Sequence, residues 1–233
     1  YGGGVCQVST TLYNAVLRAE LEVTQRSNHS MIVTYVKPSM DAAIAGDYKD
    51  LKFVNNLDAP IYIEGYTVGK DIYFNIYGQE TRPSNRKVTY ESEVVSEEDP
   101  GTQFVATGNA VGSISTTQGK HMGYVARLWK IVTVDGVEQS RDAINKSTYK
   151  SSPKIVNVGT ASADPNATAA VNAALATGDE ATIYATVAQY SGAGQTPAET
   201  PAETPADGSA EAAAILGTVD ESQITENTTT EGQ

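Results

Sequence analysis

Two residues able to carry acyl and proton chemistry stand in the first thirty positions: Cys6, the only cysteine, and His29, one of two histidines. A thiol becomes a nucleophile when it is held as a thiolate and a base can reach it. Three glycines, Gly2 to Gly4, run into Cys6 and a helical pattern follows. Cys6 is therefore expected in a first helical turn, where free N–H groups and the helix dipole favour negative charge. The glycines let a substrate carbonyl approach the backbone, and N–H groups from Gly3 to Cys6 could hold an oxyanion. His29, in "SNHSM", is the one nearby side chain suited to proton transfer at neutral pH. The residues alone leave other readings open. Free cysteine often packs as a small hydrophobe, the glycines fit a plain turn, and His29 fits a surface or capping histidine.

These residues need elements to position them. From Cys6 to about Glu22 the pattern is helical, with Val5, Val8, Leu12, Val16 and Ala19 as a core stripe and Cys6, Thr10, Tyr13 and Leu17 on a neighbouring face. Met31 to Val36 is rich in β-branched residues and reads as a strand ended by Pro38. Residues 51–78 read as further strands, the last two a hairpin around Gly69. The segment is expected to be α+β, one helix on an antiparallel sheet. Residues 81–90 read as a polar linker. Residues 91–160 are strand-like, with an Asp135-Gly136 hairpin turn. Residues 161–233 are rich in Ala, Thr, Glu and Pro and include the repeat "TPAETPAETPADG". They are expected to be disordered, with no more than a transient helix over 167–190.

Charge and composition exclude several classes. The net charge of −12 comes almost wholly from residues 161–233, which hold 11 acidic and no basic residues. The rest is nearly neutral, so no basic patch points to nucleic acid. One cysteine and two histidines fall short of the usual zinc patterns, and a thiol redox role lacks a Cys-x-x-Cys pair. No cofactor is expected. No apolar run is long enough to span a bilayer. The chain starts at Tyr1 without Met or signal peptide and is treated as a fragment, with any anchor upstream.

"GGGVCQVSTTLYNAVLRAELEVTQRSNHS", then "VTYVKPSMDAAI", "DLKFVNN" and "PIYIEGY", closely resembles the VanW-like domain of bacterial cell-envelope proteins over residues 1 to about 80. "EDPGTQFVATGNAVG", "VDGVE" and "IVNVGT" resemble the five-glycine extracellular domain over about 91–160, with Gly101, Gly108, Gly112, Gly136 and Gly159 in place. The resemblance implies an α+β domain and an elongated all-β module, ahead of the acidic tail whose composition reads as disordered.

It also implies L,D-transpeptidation of peptidoglycan, with Cys6 as nucleophile and His29 as base. Gly3, Gly4, Gln7 and Ser30 would hold the oxyanion or position substrate. A third group should orient His29, and Ser30, Asn28 or a backbone carbonyl are the candidates. The five-glycine module is expected to bind N-acetylglucosamine-containing polymer, with Tyr124 and Trp129 as candidates for sugar stacking. The partners are then stem peptides and glycan, and the location is the outside of a Gram-positive-type envelope. The competing expectation is a non-catalytic wall-binding protein with a sealed Cys6.

Overall fold

The computed structural model describes residues 3–191 of the 233. Among the described residues the fold is mostly β with three helices. Helix α1 (Val5–Arg18) begins at Gly4 and stops where Glu20 takes a left-handed φ of 56°. Leu21 N–H then bonds back to Val16 O at 3.1 Å, closing the helix end. The helix is thus shorter than the expected run to Glu22. Its buried residues are Ser9, Thr10, Tyr13, Val16 and Leu17, while Val5 and Val8 are exposed. The core face is therefore rotated from the expected valine stripe onto the Cys6–Thr10–Tyr13–Leu17 side.

The expected single antiparallel sheet is replaced by two separate ribbons. Strands β1 (Glu22–Gln25) and β2 (Lys52–Val54) pair antiparallel, as do β3 (Tyr62–Val68) and β4 (Asp71–Tyr77), the hairpin read around Gly69. The strand expected at Met31–Val36 does not form. Residues 26–50 have no helix or strand. Long-range side-chain bonds fix their backbone instead, which overrides β propensity. Asn14 Nδ2 donates to Met40 O at 2.8 Å, Ser9 Oγ to Ala42 O at 2.5 Å, and Lys49 Nζ to Asn28 O at 2.7 Å.

The next stretch holds two three-stranded sheets. Strands β5 (Arg86–Glu98), β8 (Gly123–Val134) and β9 (Val137–Tyr149) form one, in the order β5-β8-β9, all antiparallel. Strands β6 (Thr102–Ala110), β7 (Ile114–Gln118) and β10 (Lys154–Ala161) form the other, with β10 central, parallel to β6 and antiparallel to β7. At Gly159 an added Cβ would lie 2.1 Å from Ala110 O, so only glycine lets these strands meet. Gly108 has open space and a φ outside the left-handed range, so packing does not require glycine there. Part of the expected linker is strand, since β5 begins at Arg86.

The expectation of disorder from residue 161 is corrected over two helices, α2 (Pro165–Thr177) and α3 (Glu180–Tyr190). Asp164 caps α2 by accepting from Asn166 N–H at 2.9 Å, with Pro165 in the first turn. Gly178 ends it at φ 68°, and Asp179 caps α3. Val171, Ala174, Ile183 and Val187 are buried together with Val156 and Val158 of β10. Alanine composition hid a small set of apolar residues that meets one sheet face. The acidic repeat at 196–208 lies outside the described residues. Among the described residues no helix is long and apolar enough to cross a membrane.

Helix α1 also uses the sheet of the following stretch as its floor. Tyr13 and Leu17 share a core with Ala42 and with Leu128 of β8, and Tyr90 of β5 packs on it. Beyond the helix end, the Glu20 carboxylate meets Arg86 at 2.5 and 2.9 Å, Lys130 at 2.6 Å and Arg82 at 3.2 Å. The Arg86 hydrogen bonds do most to hold Glu20 down at about 2, against an ordinary 4.5. A depressed carboxylate contributes stability above its unfolded value and loses it as pH falls toward its folded value. Acid unfolding followed by circular dichroism should therefore show a steeper loss between pH about 5 and about 2 for the natural chain than for Glu20→Gln. Equal slopes would remove Glu20 as a clasp. Ile183→Ala should lower the unfolding free energy in urea by about 2–5 kcal/mol, the range for truncating a fully buried isoleucine.

Candidate functional site

The site is built on Asp41, whose side chain is fully buried. Its Oδ2 accepts from His29 N–H at 2.7 Å and lies 2.6 Å from His29 Nδ1. Its Oδ1 accepts from Arg26 Nη2 at 2.8 Å and from Tyr149 Oη at 2.5 Å. Burial pushes the carboxyl up, but the His29 ring, Tyr149, the His29 amide and Arg26 together hold it below the usual carboxylate range. A buried carboxylate needs such partners to stay charged. Tyr149 is pushed up to about 12, by burial first and then by Asp41, and so stays a donor.

Much of this shell comes from the later strands. Asn145, Ser147 and Tyr149 alternate along β9 and face the same way, toward the loop Pro38–Asp41. Ser39, buried at φ 66°, donates its N–H to Tyr149 Oη at 2.7 Å and its hydroxyl to Ser147 Oγ at 2.8 Å. Ser39 O accepts from Asn145 Nδ2 at 3.1 Å. Ser92 of β5 donates to Pro38 O at 2.5 Å, and Arg26 Nη1 donates to Ser147 Oγ at 2.8 Å. The loop carrying Asp41 is thus bonded through Pro38 O and all three polar groups of Ser39.

The imidazole is fixed by this arrangement. With Nδ1 donating to Asp41, Nε2 keeps the lone pair, and Tyr35 Oη sits 3.3 Å from it. The His29 side chain is 18% exposed. Asp41 is the orienting group, and sequence reasoning missed it. Asn28 instead donates to the carbonyls of His29 and Thr148, and Ser30 O accepts from Lys150 N–H at 2.7 Å. Neither is hydrogen-bonded to the ring.

Cys6 is half-buried in the first turn of α1, and its thiol donates to Ile44 O at 3.6 Å. Gly4 has no side-chain cap, and Val8 N–H is the first to bond back, to Gly4 O at 3.0 Å. Among the described residues the N–H groups of Val5, Cys6 and Gln7 have no hydrogen-bond partner, as in any first helical turn. A Cβ at Gly3 or Gly4 would meet nothing within 4 Å. Folding therefore does not require glycine there. Cys6 and His29 are anchored to opposite ends of one short segment, Cys6 on Ile44 and His29 on Asp41. Three residues of chain reach at most about 11 Å. No hydrogen bond joins the thiol to the imidazole among the described residues.

The second set of expected residues is not brought together. Tyr124 and Trp129 lie five positions apart on β8, about 16 Å along the strand, with a register irregularity between them at Leu128/Trp129. Trp129 Nε1 donates to Glu93 Oε2 at 2.7 Å. Two clefts, of about 480 and 340 Å³, flank Glu20 and Lys130, and neither is lined by Cys6 or His29. Among the described residues no His, Cys, Asp and Glu side chains cluster as a metal site.

Residues 1–77 match the family model described as VanW like protein, and residues 81–161 match that of the G5 domain. The stretch 81–90, read above as linker, falls inside the G5 match. The uncharacterized protein YoaR of Bacillus subtilis (strain 168) is 40% identical over 79 residues, which are 34% of this chain and 26% of YoaR. The chain thus spans about a quarter of the length of this curated relative. Among solved structures, the IgA1 protease G5 domain is 25% identical, with a TM-score of 0.27, over 33% of this chain and 94% of that one. HP0197-G5 is 17% identical, with a TM-score of 0.18, over 31% of this chain and 99% of that one. The chain carries a VanW-like segment at residues 1–77 followed by a G5 domain at residues 81–161.

Proposed function

We propose that this chain is a cell-envelope protein that acts on peptidoglycan, with Cys6 as an acyl-transfer nucleophile and the G5 domain as a wall-polymer-binding module. The observation that carries the reading is the Asp41–His29 pair, together with a half-buried thiol in the first turn of α1 whose anchor, Ile44, lies three residues from Asp41. A base oriented by a third group is the general pattern of nucleophilic catalysis. The 25-residue irregular segment supports it too, because long structureless stretches inside compact folds are usually functional.

In the proposed reaction, Cys6 Sγ attacks a stem-peptide carbonyl while His29 Nε2 takes the thiol proton. The backbone N–H groups of Val5 to Gln7 face the oxyanion, and the open space at Gly3 and Gly4 admits the peptide. The C–N bond to the terminal amino acid breaks, and His29 protonates the leaving amine. An amine of a second stem then attacks the thioester, His29 accepts its proton, and the thiol is restored. For this, Cys6 must exchange its bond to Ile44 O, and Tyr35 must leave Nε2. Asp41 is a positioning residue for His29.

The second reading is a non-catalytic wall-binding protein. The Cys6–Ile44 and Tyr35–His29 contacts favour it, since both occupy the groups that catalysis needs.

Incubation of the chain with disaccharide-tetrapeptide, followed by mass spectrometry, separates the two. Cross-linked dimer should form with the natural chain and vanish with Cys6→Ala. His29→Ala should slow it by about 10²–10⁴-fold, the usual worth of a general base. Product that survives Cys6→Ala unchanged would remove the nucleophile, and absence of any product favours the binding reading. Tyr149→Phe removes a bond to a buried charge and should cost about 1.5–3 kcal/mol in urea unfolding. If Asp41 positions His29, the same variant should also shift the acidic limb of the pH–rate profile.

A further inference from the structure

The β3–β4 ribbon turns one face inward and one outward, and the outward face is unusual. Ile63, Ile72, Phe74 and Ile76 are half-buried, and β4 lies against α1. On the other face the register pairs Tyr62 with Tyr77, Glu64 with Asn75, and Tyr66 with Tyr73. All four tyrosines are exposed, from 42% to 65%. Each pair is stacked, with ring centroids 6.1 Å apart for Tyr62–Tyr77 and 5.2 Å for Tyr66–Tyr73. Between the pairs, Glu64 Oε2 accepts from Asn75 Nδ2 and Tyr77 Oη, both at 3.1 Å. Glu64 Oε1 has no protein partner among the described residues.

The geometry points to this face as a binding platform for a neutral, N-acetylated glycan strand, in the VanW-like segment and separate from the G5 domain. Two aromatic pairs lie four residues apart along the strands, about 13 Å. That is room for more than one sugar ring laid across the ribbon. Tyrosine offers an apolar ring to the C–H face of a sugar and a hydroxyl to its rim. Glu64 Oε1 is free to accept from a sugar hydroxyl or an acetamido N–H. Glu64 is the one charged side chain between the two aromatic pairs, which suits a neutral polymer better than an anionic membrane or nucleic acid. The choice of a wall glycan rests on the envelope location proposed above.

The test uses the full chain and a soluble hexamer of N-acetylglucosamine. In heteronuclear NMR the hexamer should shift amides of residues 62–77. Tyr66→Thr together with Tyr73→Thr keeps strand propensity and should weaken binding at least fivefold, with the thermal midpoint checked alongside. Shifts confined to residues 81–161 would overturn the platform while leaving a polymer-binding G5 domain. Unchanged affinity in the folded double variant would also overturn it. No binding anywhere would remove both. Should the variant fail to fold, the shift map of the natural chain decides alone.

Discussion

A charged carboxylate in the interior is the constraint on which the rest of this structure turns. Asp41 has no access to water, so its charge must be met by protein groups. Four donors do so, from Arg26, the amide and ring of His29, and Tyr149. Each of these donors is itself fixed by the demand. Arg26 is drawn across the face of Tyr13 at 5.6 Å, His29 is locked with one nitrogen inward, and β9 must present a polar inner face. An isolated sheet would gain nothing from burying Asn145, Ser147 and Tyr149 in alternation. Here they are the wall against which an irregular loop is shaped.

That loop explains how an imidazole can be held firmly without regular secondary structure around it. Backbone groups that a sheet would pair are instead paired by side chains, those of Ser39 by side chains more than a hundred residues away. The cost is that the arrangement depends on two sequence segments at once. Glu20 makes the same point at the other end of α1, where a left-handed non-glycine residue is kept because its carboxylate is used by three cations. The strain there is about 1 kcal/mol, which a three-partner cluster readily offsets.

Local features of the chain were legible in its sequence, and distant ones were not. Asp135-Gly136 and Gly69 marked hairpins because a turn needs only its own residues. Cys6 was placed in a first helical turn for the same reason. Met31–Val36 misled, since β-branched residues favour strands only where a partner strand exists. Asp41 was hidden in "MDAAI", among small residues, because the reason for its charge lies in Tyr149 and Arg26. The helices at 165–190 carried readable signals, Asp164-Pro165 at one start and Gly178-Asp179 at the next. Alanine and threonine content outweighed them, although a few apolar residues suffice when the opposite sheet face is already apolar.

The alternating polar residues of β9 also bear on how such a chain can be inherited. The two family models meet between residues 77 and 81, and a recombination joint there leaves each pattern whole. It would nonetheless separate Asp41 from Asn145, Ser147 and Tyr149. Positions 41 and 149 are therefore coupled physically across the border between the two matches. A VanW-like segment moved beside a different partner must find a new donor for its carboxylate or lose the charge.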